Sequence, residues 1–143
     1  MIFSPFILDL LLVALGSAGS LETDVCEVIN MKDATSLCVN LPPYPYALRL
    51  STGHVVDSVP IIAGGYNGGY KSYVHKHDRE TNSWISLGNM AKPRNQFASV
   101  PLNGALWVLG GYIDPMTKST ELIFPNGTII GGPDLPAPRA RLA

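Results

Sequence analysis

The stretch Ile61-Ile62-Ala63-Gly64-Gly65-Tyr66 finds its counterpart 46 positions later in Val108-Leu109-Gly110-Gly111-Tyr112. In both places an apolar run ends on a glycine pair. A short run of this kind suits a strand covered on both faces. Paired glycines reach backbone angles barred to other residues and let a neighbouring chain come close. A glycine-rich loop can also cradle phosphate. The run Gly64-Gly65-Tyr66-Asn67-Gly68-Gly69, however, lacks the Lys-Ser/Thr ending and the following helix that such a loop uses. The glycines are therefore read as strand-end geometry.

Working outward, Pro93-Arg94 matches Pro138-Arg139 at an offset of 45, and Asn89-Met90 just before it matches Asp134-Leu135. Between these anchors, residues 72–77 are set opposite residues 119–124 at an offset of 47. That alignment expects one extra residue after the second glycine pair and two fewer in the next turn. Each unit predicts four short strands. In the second copy they cover residues 97–102, 105–109, 119–124 and 128–130. Asn103-Gly104 supplies a two-residue hairpin turn, since both central positions of a type I′ turn need positive φ. Pro125-Asn126-Gly127 supplies a later turn. In the first copy residues 83–87, with Trp84 as apolar anchor, form the fourth strand after a turn at 78–82. Residues 139–143 would begin a further strand.

These residues resemble the kelch-repeat family, whose units of ~50 residues each form one propeller blade. The resemblance rests on Gly64, Gly65, Tyr73 and Trp84 in the first copy, and on Gly110, Gly111 and Phe124 in the second. Arg94 and Arg139 sit at equivalent exits. Ile129 departs from the pattern by standing where the family has tryptophan. The resemblance covers somewhat over half of the chain. It implies an all-β fold of four-stranded antiparallel blades of a kelch-type β-propeller over residues 47–143, incomplete, with two blades and the first strand of another. Propellers use 4–8 blades, so the chain looks like part of a longer ring. If the chain is complete, self-association must supply the missing blades.

Apolar residues make up 46% of the 143 residues, charged residues 15%, and the formal net charge is −1. This excludes a disordered chain and gives no basic footprint for nucleic acid or an anionic membrane. Ile7, Leu8 and residues 10–15, followed by Gly16, Ser17, Ala18 and Gly19, predict a signal peptide over residues 1–19. Asp9 interrupts the run, and no basic residue precedes it. The run is too short to span a membrane, which takes ~20 apolar residues. Residues 20–46 show no period, and Pro42, Pro43 and Pro45 favour an extended leader, with Tyr44 and Tyr46 packing on the first blade. Cys26 and Cys38 in a secreted chain predict one disulfide, which would stabilise by ~3 kcal/mol. Asn126-Gly127-Thr128 is an N-glycosylation triplet in a predicted turn. Together these features predict an extracellular protein.

No catalytic, cofactor or metal constellation can be built from spacing. His75 and His77 share a strand face, but His54 is the only other histidine. The positions set opposite them, Leu122 and Phe124, indicate packing. Copper oxidases exist on kelch-type propellers, but their Tyr, Cys and His constellation cannot be placed here. The expected function is a secreted, non-catalytic scaffold binding a protein or glycan through loop residues Tyr66, Asn67, Tyr70 and Tyr112. Two alternatives stand beside it. One is a fragment of a propeller enzyme, such as a copper oxidase, whose active residues lie in missing blades. The other is an intracellular kelch adaptor.

Overall fold

A computed structural model describes residues 10–18, 21–30 and 39–141. Three antiparallel sheets follow one another along the chain. The first holds β1 (Leu10–Ala18), β2 (Leu21–Asn30) and β3 (Val39–Asn40). The second holds β4 (Thr52–Val56), β5 (Val59–Ala63), β6 (Tyr73–Asp78) and β7 (Ser83–Asn89). The third holds β8 (Ala98–Leu102), β9 (Ala105–Leu109), β10 (Thr120–Ile123) and β11 (Ile129–Gly131). β4 lies beside both β1 and β8, so the second sheet meets the other two through its first strand. The fold is all-β, with incomplete four-stranded propeller blades, as the repeat implied.

Both faces of β5 are covered, as its apolar run required. Ile61 and Ala63 join Val56, Val74, Met90, Phe97, Leu106, Val108 and Ile123 in the core between the second and third sheets. Ile62 points the other way, into a core with Cys26, Tyr44 and Leu48 against the first sheet. Alternating side chains of one strand thus serve two interfaces.

The structure adds to the sequence reading in one place and departs from it in two. Residues 10–18, expected as signal sequence, form β1, and residues 21–30 and 39–40, expected as leader, form β2 and β3. The reason is a third, degenerate repeat. Tyr44 N–H donates to the Asp24 carbonyl, Met90 N–H to Ser72 and Leu135 N–H to Lys118, each at 2.8 Å. Second, the offset stays at 46 through the loop and into β10. Gly64 N–H meets the Tyr73 carbonyl and Gly110 N–H meets Ser119, both at 3.0 Å. The counterpart of Tyr73 is therefore Ser119, not Phe124, and the single length change comes after β10. Third, the described residues after Arg139 form no strand; Arg141 instead bonds back to Gln96 through both main chain and side chain.

The two repeat signatures prove to be halves of one contact. Gly65 N–H donates to the Arg94 carbonyl at 2.9 Å, and Gly111 N–H to Arg139 at 2.7 Å. Gly64 has φ +63°, and a Cβ there would lie 2.7 Å from that same Arg94 oxygen. At Gly110 the corresponding distance to the Arg139 oxygen is 2.5 Å. The first glycine makes room for the carbonyl that the second one binds.

Arg94 also ties the second sheet to the third with its side chain. It is fully buried, and donates to the Gly110 carbonyl at 2.8 Å and the Ser119 carbonyl at 3.0 Å. Its Nη2 meets the Glu121 carboxylate at 2.5 Å, and that carboxylate also accepts from Ala91 N–H at 2.8 Å. Burial pulls the Arg94 pKa down, opposed by the Glu121 charge. The preceding interface fills the same positions without charge. Arg49 and Asn95 make equivalent bridges to Tyr66 and Tyr112, so Leu48 is the counterpart of Arg94, and it too is fully buried. His75 pairs with Ile62 as Glu121 pairs with Val108, so His75 is the counterpart of Glu121. His75 Nδ1 shares a 2.8 Å hydrogen bond with the Tyr44 hydroxyl. Where the arginine is lost, its acid is lost too.

Two outcomes follow for stability. Gly64→Ala should cost roughly 1–3 kcal/mol in chemical denaturation through its φ alone, plus the carbonyl clash. Gly68→Ala, also at positive φ but with open space at its Cβ, should cost less. Arg94→Leu strands a buried carboxylate and should cost about 3–5 kcal/mol. The double change Arg94→Leu with Glu121→His copies the preceding interface and should recover more than half of that loss. Equal destabilisation by the single and double variants would refute the exchange.

Candidate functional site

The loops that follow β5 and β9 are equal in length and shape. Tyr66 bridges to Tyr70 and Tyr112 bridges to Met116, while Gly65 and Gly111 carbonyls accept from Lys71 and Thr117 N–H groups. The glycine contact described above thus also fixes the base of each loop. Equal loops on adjacent sheets bring Tyr66, Tyr70 and Tyr112 into one row. Ring centroids lie 5.7 Å apart for Tyr66 and Tyr70, and 5.8 Å for Tyr70 and Tyr112.

Charged groups border the row. The Arg49 guanidinium lies 5.2 Å from the centre of the Tyr66 ring, within cation–π range. The Tyr112 hydroxyl is 3.5 Å from an Asp114 carboxylate oxygen. The Tyr70 hydroxyl is held above the ordinary phenol value by desolvation first, then by Tyr112 and Asp114. Exposed Asn67 anchors its loop by donating from Nδ2 to the Ala47 carbonyl at 2.9 Å. A second aromatic group stands nearby. Tyr46 stacks on Tyr73 at 4.7 Å, with the Lys71 ammonium 6.0 Å from the Tyr73 ring. Met116 is 46% exposed at the end of the row. The structure therefore brings together three of the four loop residues singled out from sequence, and adds Arg49, Asp114 and Met116. Arg49 was missed because it precedes β4, far from the loop in sequence. Its bridge to Tyr66 repeats the one between Asn95 and Tyr112, a 46-residue correspondence that the sequence does contain.

The other candidate residues serve packing and turns. His77 Nε2–H donates to Asn82 Oδ1 at 3.1 Å, and its ring meets Trp84 edge-on at 5.6 Å. Burial lowers the pKa of His75. Trp84 Nε1–H donates to the Pro42 carbonyl at 2.8 Å, tying the second sheet to the chain after β3. His54 Nε2 lies 3.0 Å from Ser99 Oγ, which also bonds Thr52 Oγ1, so the inner strands β4 and β8 are joined by a polar contact. Sequence reasoning passed over it, although residues one repeat apart on the first strand necessarily fall side by side. Among the described residues no group of three His, Cys, Asp or Glu side chains could hold a metal ion, and no helix is long and apolar enough to cross a membrane.

Cys26 is a free thiol, fully buried, with its pKa pushed up to about 11 by burial. It occupies the β2 position that Val74 holds in β6, facing the next sheet, which explains why it packs against Leu48 and Ile62. Its expected disulfide partner, Cys38, lies outside the described residues. Asn126 sits in the exposed turn between β10 and β11, where its Oδ1 accepts from Thr128 N–H at 2.9 Å.

Equal loops on adjacent four-stranded sheets define a kelch-like propeller scaffold with a tyrosine-lined loop face. Comparison with known proteins agrees at that level. The chain is 31% identical to human "Kelch-like protein 42" over 76 residues, which is 52% of this chain and 15% of that protein. It thus spans only a small part of the curated relative it matches. The solved structure titled "Structure of YjhT" shares the fold, with a TM-score of 0.70 at 17% identity, over 90% of this chain and 49% of that one. No family model matches.

Proposed function

We propose that the chain is part of a non-catalytic scaffold that holds a protein partner against the row formed by Tyr66, Tyr70 and Tyr112. The carrying observation is the row itself, two loops from two sheets converging on one aromatic surface bordered by Arg49 and Asp114. Tyrosine and arginine are the residues in which binding energy concentrates at protein interfaces. Tyr66 and Tyr70 meet edge-on, Tyr70 and Tyr112 meet at a tilt, and Arg49 lies over the Tyr66 ring. A tyrosine joins an apolar ring to a polar tip, which suits a protein partner. Affinity capture from a cell lysate, followed by titration of the recovered protein, tests the reading. Tyr66→Ala combined with Tyr112→Ala should weaken binding by roughly tenfold or more, with little change in Tm. Undiminished capture, or saturable binding to a glycan instead, would overturn it.

We infer further that residues 10–18 stay on the working chain, which favours the intracellular adaptor over the secreted form. Two observations support this. β1 pairs along its length with β2 and lies beside β4, so its removal would expose a sheet edge. Cys26 is a free thiol, as suits a reducing compartment. The intact mass of the protein made in eukaryotic cells should include residues 10–18. A product starting near residue 20 would refute the inference.

A further inference from the structure

The tyrosine row has a shape as well as a composition. Tyr66 and Tyr70 meet at 71° and Tyr70 and Tyr112 at 60°, so a wedge stays open between each pair of rings. The nearby Tyr46 and Tyr73 differ. Stacked at 26° with centroids 4.7 Å apart, they leave no such slot. Among the described residues, neither the Tyr66 nor the Tyr70 hydroxyl has a hydrogen-bond partner. The Tyr112 hydroxyl has only the long 3.5 Å contact to Asp114. Each hydroxyl can therefore donate to a ligand.

These features choose among the ways a protein segment is recognised. Addition of a strand needs an open sheet edge, and the three residues stand on loops. A helix laid in a groove needs an apolar floor, whereas the row is tipped with hydroxyls. A polyproline II segment needs an aromatic-lined groove, and it has no internal hydrogen bonds, so every carbonyl along it is free to accept. Slots between tilted rings suit proline rings, and unpartnered hydroxyls suit those carbonyls. Ring steps of 5.7 and 5.8 Å limit the row to about four residues of such a segment, at ~3.1 Å each.

The two ends of the row differ in charge. The Arg49 guanidinium lies over the Tyr66 ring and closes that end. The Asp114 carboxylate is exposed beside Tyr112, so a segment leaving over Tyr112 meets a negative charge. Resting on the reading of the row as a protein-binding surface, we propose that its ligand is a proline-rich segment in polyproline II form. It carries two prolines three positions apart and a basic residue at the end that meets Asp114.

Selection of a random peptide library, displayed on phage, against the full chain tests this. Sequences with two prolines three positions apart, beside Arg or Lys, should be enriched. A synthetic peptide of enriched sequence should bind Tyr70→Ala roughly tenfold or more weakly. Tyr70→Phe removes only the hydroxyl and should cost roughly two- to tenfold. Asp114→Lys should cost about fivefold or more, and changing the basic residue of the peptide to Glu should recover that loss. No enrichment, enrichment without paired prolines, or affinity indifferent to Tyr70 or to Asp114 would each overturn the proposal. The scaffold reading fails differently. A partner captured through Tyr66 and Tyr112 that brings no prolines to the row would sink this inference and leave that reading intact.

Discussion

The structure depends on the position that Arg94 occupies, where the chain crosses from the outer strand of one sheet to the inner strand of the next. Its carbonyl accepts from Gly65 N–H within the second sheet, while its guanidinium reaches the Gly110 carbonyl and Glu121 in the third. One residue therefore fixes the end of β5, the start of the crossing and the docking of the following sheet. The charge is stable there because every side-chain nitrogen has an acceptor, with Nε on the Lys92 carbonyl. A buried guanidinium without those partners would be costly.

Much of this was legible in the sequence. Gly-Gly and Pro-Arg recurred at nearly one spacing because they are the two sides of a single backbone contact, and neither can drift without the other. The Asn103-Gly104 turn was legible for a local reason: both residues take positive φ, at 52° and 74°. Ile129 was rightly placed opposite the Trp84 position, since His77 pairs with Trp84 and Ile123 with Ile129. The tyrosine row was partly legible, because its members flank the glycine pairs that gave the repeat away.

The rest was hidden by degeneracy. In the first sheet Leu15-Gly16 stands where a glycine pair is expected, since Ala14 pairs with Cys26 as Ala63 pairs with Val74, and Ala47-Leu48 stands where Pro-Arg is expected. Both signatures are missing together, so the strands of the first sheet were not legible as a repeat. Physical partnership explains the joint loss. Without an arginine at 48, a glutamate at 75 would be a buried charge with no counterion, and His75 with Tyr44 is the neutral replacement. The misplacement of Phe124 has a similar source. Aromatic residues were aligned by type, whereas the ladder aligns Tyr73 with Ser119, and only hydrogen-bond register could reveal that.

Unequal interfaces in a repeat array have a consequence for the binding surface. In such arrays stability is close to a sum of unit and neighbour terms. The interface between the second and third sheets carries the buried ion pair and the larger apolar cluster. The interface between the first and second carries the smaller cluster of Cys26, Tyr44, Leu48 and Ile62. Tyr66, Tyr70 and Tyr112 all stand on loops of the second and third sheets, over the stronger junction. Their spacing is set by the glycine carbonyls that anchor Lys71 and Thr117, and those glycines are in turn held by the arginine crossings. Opening of the first sheet would leave the row in place, apart from Arg49, which enters from the crossing between the first and second sheets. The scaffold is thus most rigid under the tyrosines, and the cation beside Tyr66 is the element that the weaker junction controls.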